Sequence, residues 1–431
     1  MRIKLKPSIF VAYTVILFAI LNGPLRLNAN GMASLYRLIG PFFGLFVIVR
    51  CFHKYKKDLL FLIAMMVYNA AVSLAFYHRI EFQEVVIVVY VFILYVIIKY
   101  IKIKDRNFNN NFMKFLNTVC FVTVVLAWLQ MVIPYNVPFI DNATIRRAVN
   151  VYFSNENELG SALACVTLIN VFQLVYQKYK GKWKAVLVFD VVSSIIIMYK
   201  NDAKLSLLGA IVGIAIICVY RFHKPKEKKK IKTAKLRDNH FFIFLVVAAV
   251  VGTIALFVIN PSISTRDYKI SIREMLFDNI TAIIKGKEIA GMGTYHDRST
   301  AIIYGIKEWT KTYFFGIGLG NSWAMLQMPQ YVLRFANSMH NIIAQFMVEM
   351  GYFAIFVYAY IIKSVIKMFG RVRRSPLALI KAAYVIAFIF ISSQSSSGIL
   401  SNYLTITATI FVFLLIEDKN VILRKANSLN T

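Results

Sequence analysis

The sequence predicts an all-α, polytopic membrane protein with about 12 transmembrane helices and one long extracytoplasmic loop between helices 9 and 10. Three observations carry that expectation. Of 431 residues, 59% are hydrophobic and 15% aromatic, while only 16% are charged, outside the usual balance of a water-soluble domain. Apolar runs of roughly 20 residues, the length that crosses a bilayer, recur along the whole chain. The Lys and Arg residues gather in short segments between those runs, which is the positive-inside pattern. A net charge of +30 would point to nucleic acid in a soluble chain. Here it points to topology and to anionic lipid. Residues 1–431 therefore read as a single integral membrane domain with no nucleic-acid partner.

The chain opens M-R-I-K-L-K, then an apolar run, then N-G-P-L-R-L-N. No small-x-small cleavage site follows, so Ser8–Leu21 reads as an uncleaved first helix. The next spans are expected at Leu35–Phe52, Leu59–Tyr77, Phe82–Ile101 and Phe112–Pro134, with Arg37 near the outer edge of the second. Leu159–Tyr176, Ala185–Tyr199, Leu205–Phe222 and Phe241–Ile259 continue the series, and Met339–Met368, Leu377–Ser393 and Leu400–Ile416 close it. The seventh is short and the tenth long, so a tilt or an interfacial turn is expected there. With the N-terminus cytoplasmic, the basic residues concentrate in the inside segments, led by Arg221–Arg237. Both termini then lie in the cytoplasm. Cys51, Cys120, Cys165 and Cys218 fall in or beside spans without C-x-x-C spacing, which reads as core packing.

This topology places three polar segments outside: Pro134–Glu158, the tight turn Lys200–Lys204, and Asn260–Ser338. Residues 260–338 read as a partly ordered cap carrying one interfacial helix that begins near Arg298. Ile302, Gly305, Ile306, Trp309 and Tyr313 share one face of that helix, while Lys307, Glu308 and Lys311 face elsewhere. Arg298 lies on the apolar stripe. Either it snorkels to lipid phosphate, or it points into a site and holds a substrate phosphate.

Gly316–Gly320, G-I-G-L-G, lacks the lysine and the strand-to-helix setting of a P-loop. It reads as a turn that permits positive φ and close backbone contact. His340 and Asn341 open the tenth span. On a helix starting there, Ala344, Met347 and Gly351 would share the face of His340, and Glu349 would lie about half a turn away. His340 is either a structural group or a general base, for which an ordinary pKa near neutrality is suited. Arg146, Arg147 and N-E-N-E-L-G (Asn155–Gly160) precede the sixth span; Asn201, Asp202 and Lys204 precede the eighth. Such cations around one outer opening suit a diphosphate, which Arg grips as a fork and Lys as a point charge.

The order N-E-N-E-L-G, then N-D-A-K-L-S-L-L-G, then R-x10-W-x6-G-I-G-L-G, then H-N-x-x-x-Q-x-x-x-E-x-G resembles the O-antigen polymerase and ligase superfamily, which includes Wzy-type polymerases, O-antigen ligases and teichuronic acid polymerases. The resemblance covers roughly Asn155 to Gly351, and the span count agrees. Many members carry Arg where this chain has Lys204. The resemblance implies a polyprenyl-diphosphate-dependent, metal-independent glycosyltransferase of the bacterial cytoplasmic membrane, working on the extracytoplasmic face without a cofactor. Undecaprenyl-diphosphate-linked repeat units would be joined into a capsular, exopolysaccharide or teichuronic-type polymer, alongside other polysaccharide-assembly proteins. The ligase alternative transfers the glycan to another acceptor. His340 would be the base, and Arg298 would hold the diphosphate with help from Lys204, Arg146 or Arg147. Asn157 and Asn341 would contact the substrate. A lipid-linked oligosaccharide flippase is the rival class; it would call for polar residues deep in the spans, where Asn69, Asn170 and Asp190 are the few candidates.

Overall fold

The computed structural model describes residues 6–27, 33–133, 149–153, 155–177, 181–201, 203–222, 262–264, 269–271, 293–331, 333, 339–369, 371, 375–393, 400 and 402–415. Among these, apolar runs become helices: α1 Pro7–Ile20, α2 Leu35–Arg50, α3 Phe52–Tyr77, α4 Phe82–Lys104, α5 Phe108–Val132, α6 Glu156–Tyr176, α7 Lys182–Lys200 and α8 Lys204–Phe222. Then come α9 Gly293–Lys311, the short α10 Asn321–Leu326, α11 Ile342–Phe369, α12 Pro376–Ser392 and α13 Tyr403–Leu414. A small antiparallel ribbon pairs β1 Ser262–Ser264 with β2 Lys269–Ser271. Eleven of the expected spans coincide with helices; the ninth, Phe241–Ile259, lies outside the described residues. Among the described residues, five helices (α3, α4, α5, α6 and α11) are long and apolar enough to cross a membrane, by length and composition.

The core is built on α6. Every residue from Glu158 to Gln173 is buried, because this helix is apolar on all sides and can only sit inside a bundle. It packs against α5, α7, α8, α12 and α13, and α8 lies against α12. The rim is the reverse. Phe42, Val49 and Phe356 are 77%, 71% and 74% exposed, a surface that water would penalise and lipid would not.

Helix boundaries differ from the expected spans where charged side chains find partners. α3 begins at Phe52 rather than Leu59. Its extra turns are held by Asp58, which pairs with Lys99 of α4 and accepts a hydrogen bond from Tyr95 at 3.1 Å. The expected irregularity in the tenth span is a break: Gly351 of α11 has φ 49° and ψ −125°, outside helical geometry. All four cysteines are free thiols, Cys120 and Cys165 buried and Cys51 and Cys218 half-buried.

Candidate functional site

The break in α11 is where the glycine turn docks. A broken helix leaves carbonyls without their partners four residues on, and a buried orphan is costly. The turn supplies the replacements. Ile317 N donates to Val348 O at 3.1 Å and Gly318 N to Glu349 O at 2.8 Å. In return Tyr352 N donates to Phe314 O at 3.1 Å. Such an approach needs backbone against backbone, and Gly316, Gly318 and Gly320 all have positive φ (101°, 88° and 80°). From α3, Asn69 accepts from Leu319 N at 2.6 Å and Tyr68 donates to Phe315 O at 2.7 Å. Glu349, 3% exposed, points into this junction and accepts from Ser322 Oγ at 2.5 Å and Gln345 Nε2 at 2.9 Å. It is a clasp of the scaffold.

α9 packs along α11. Its buried positions, Asp297, Ala301 and Glu308 among them, are offset from the expected apolar stripe. Ile306 and Tyr313 of the apolar stripe are 47% and 73% exposed, open to the lipid that an interfacial helix would meet. Glu308, expected to face elsewhere, is buried, hydrogen-bonded by Tyr331 and Lys311 and approached by Tyr77 Oη at 3.3 Å. Three donors satisfy this charged acceptor in its buried position. Those contacts hold the Glu308 carboxyl below its ordinary pKa against the opposing effect of burial. Met339 is fully buried against Gly305 of α9, in a small apolar cluster with Ala301, Ile317 and Val348. This anchor fixes the next residue, His340.

His340 departs from the expected helical start. It adopts φ 48° and stands just before α11, which begins at Ile342. The expected face of His340, Ala344, Met347 and Gly351 is therefore absent, because the imidazole leaves from left-handed backbone and not from the helix. Both His340 and Arg298 are half-buried, and the guanidinium lies near enough to act on the ring. Burial, reinforced by the Arg298 charge, pushes the imidazole down to about 4. At neutral pH the ring is uncharged and able to take a proton.

Asn341 is the N-cap of α11: its Oδ1 accepts from Ala344 N at 3.0 Å, and its Nδ2 donates to Ser393 Oγ at the end of α12, 3.3 Å away. Asn155 caps α6 through Glu158 N at 2.9 Å, and Asn402 caps α13 through Thr405 N at 3.2 Å. These starts share one end of the bundle. Asn402 Nδ2 donates to Glu158 O at 2.7 Å, Ser161 and Ser206 hydroxyls are 3.3 Å apart, and Gly209 of α8 packs on Ala387 and Ile391 of α12. The helix N-termini of α6, α8, α11 and α13 thus present their positive dipole ends together. Lys204 opens α8 there, exposed. Glu156 and Glu158 in the first turn of α6 oppose an anion at that corner.

No model of a known protein family matches the chain, and no curated protein matches it.

The fold therefore brings Arg298, His340 and Asn341 into one neighbourhood and sets Lys204 and Asn157 on helix starts at the same end of the bundle. Asn157 is half-buried in the first turn of α6, its carbonyl accepting from Ser161 Oγ at 2.9 Å. Arg146 and Arg147 lie outside the described residues. The capping role of Asn341 was readable in principle, as a polar residue before an apolar run. The Glu308 clasp was not, because its partners Tyr77 and Tyr331 are 231 and 23 residues away in sequence.

Proposed function

We propose that this chain is an extracytoplasmic glycosyltransferase that polymerises polyprenyl-diphosphate-linked oligosaccharide repeat units. One observation carries the reading: a neutral, half-buried imidazole faces a guanidinium at the end of the bundle where four helix N-termini meet. That end is taken as extracytoplasmic because the Lys and Arg count puts both termini on the other side. An acceptor hydroxyl attacks the anomeric carbon of the donor sugar, a C–O bond forms, and the bond to the diphosphate breaks. The hydroxyl proton passes to His340. The diphosphate leaves with its charge met by Arg298, Lys204 and the dipole ends. Exposed apolar faces such as that of α11, with Ile362 and Ile366, suit the polyprenyl tail.

Arg298→Ala is expected to slow the reaction about 10- to 100-fold, the worth of a charged hydrogen-bonded contact. Arg298→Lys should recover little if the fork grips two phosphate oxygens; full rescue in a steady-state assay would show that charge alone suffices. Turnover is also expected to persist in excess chelator, since the cations that meet the diphosphate are side chains. Loss restored by a divalent metal would contradict that.

A flippase is the second reading, favoured by Asp190 and Asn170, polar residues buried inside the bundle without hydrogen-bond partners. Purified protein given a single lipid-linked repeat unit separates the two. A product ladder marks the polymerase, one-step transfer to a different acceptor marks a ligase, and unaltered units moved across a bilayer mark the flippase.

A further inference from the structure

Between α5, α6 and α7, far along the spans from the site above, lies a group of polar side chains with no apolar rationale. Asp190 and Ser194 sit one turn apart on α7, and Thr167 and Asn170 one turn apart on α6; all four are inaccessible to solvent apart from rounding, at 0% exposure. Both carboxylate oxygens of Asp190, both amide atoms of Asn170, Ser194 Oγ and Thr167 Oγ1 have no hydrogen-bond partner. Cys120 of α5, also fully buried, places its thiol beside Ser194 and Asn170 and within electrostatic reach of Asp190. The same interface satisfies polar groups where they are only structural. One turn from Asn170, Gln173 exchanges two hydrogen bonds with Asn117 of α5, at 3.1 and 3.0 Å.

We propose that Asp190, Asn170 and Ser194, with Cys120 alongside, form an intramembrane binding site for one monovalent cation, Na+ in competition with a proton. A lone carboxylate in hydrocarbon is too costly to keep its charge uncompensated. Among the described residues no Lys, Arg or His pairs with it, and the Cys120 thiol lies within electrostatic reach of it. One carboxylate matches one positive charge; a divalent ion would leave a net charge in the same low-dielectric surroundings. The donors are carboxylate, amide and hydroxyl oxygens, a hard set that favours an alkali cation over a soft metal. The polymerase reading is not needed for this site, and either can fail alone.

The test is equilibrium binding of radioactive Na+ to the purified full chain in lipid nanodiscs, at constant ionic strength with choline. Wild type is expected to bind saturably near one ion per chain at about pH 8, with binding lost as protons are added. Asp190→Asn should weaken binding about tenfold or more, and Ser194→Ala should weaken it less. Should Asp190→Asn not yield a monodisperse protein, Ser194→Ala and Asn170→Ala carry the comparison. Binding unchanged by any of these, or K+ competing as well as Na+, would overturn the assignment. So would no saturable Na+ binding together with a permanent carboxylic-acid infrared band that Asp190→Asn removes: the carboxyl would then hold a fixed proton and no exchangeable ion.

Discussion

Replacing His340 with alanine is expected to leave the chain folded and inserted while stopping polymer growth. The side chain is not what holds its surroundings. Met339 anchors the segment in the small apolar cluster, and Asn341 caps α11, so the imidazole can be removed without opening either contact. The kinetic loss should be about 10²- to 10⁴-fold, the usual contribution of a positioned general base. A pH profile separates this role from a structural one. Burial and then the Arg298 charge hold the imidazole down to about 4. The neutral ring is the active form, so kcat/KM, which reports the free enzyme, should stay level as pH falls from 7 and decline only as it nears about 4. Arg298→Ala removes the second of those two causes. Its acid limb should therefore move up, toward the ordinary value of 6.5, while overall activity falls. Normal long chains from the alanine variant at His340, or an acid limb that Arg298→Ala does not move, would take the imidazole out of the mechanism.

How far the sequence could carry these expectations depends on the range of the interaction. Apolar length is local, and the helices it foretold are present from Pro7 to Leu414 wherever residues are described. Their edges moved where a distant charge intervened, as Lys99 did for Asp58. The positive φ of the glycine turn was legible, because only glycine accepts it readily. Its docking on a break at Gly351 was not, since nothing in G-I-G-L-G names Val348 and Glu349 as partners. Glu308 lies off the apolar stripe of α9, as the periodicity has it, but the three donors that converge on it were not legible there. Asp190 and Asn170 stood out singly as polar residues within spans. Only the packing of α6 on α7 shows that they meet.

Gly316→Ala is expected to carry a large cost to stability. A Cβ at this position would lie 2.5 Å from Glu349 O and 2.9 Å from Gly351 N. Both are backbone atoms of α11, which cannot swing away as a side-chain tip could. The residue also has φ 101°, so a side chain there is strained even before any collision, by about 1–3 kcal/mol. Relief requires the turn to back away from the helix, and that breaks the hydrogen bonds from Ile317 N and Gly318 N that satisfy Val348 O and Glu349 O. Each buried carbonyl left alone adds about 1–3 kcal/mol. Gly181 is the control: its φ is 63°, but nothing stands within 4 Å of an added Cβ, so Gly181→Ala carries the strain without the collision. Thermal unfolding of the two variants in one detergent should show a small drop for Gly181→Ala and a drop several times larger for Gly316→Ala. Equal drops would mean that the turn tolerates retreat from α11. A larger loss confined to Gly316→Ala, accompanied by loss of turnover at temperatures where the variant is still folded, would tie the glycine junction to the geometry of the site.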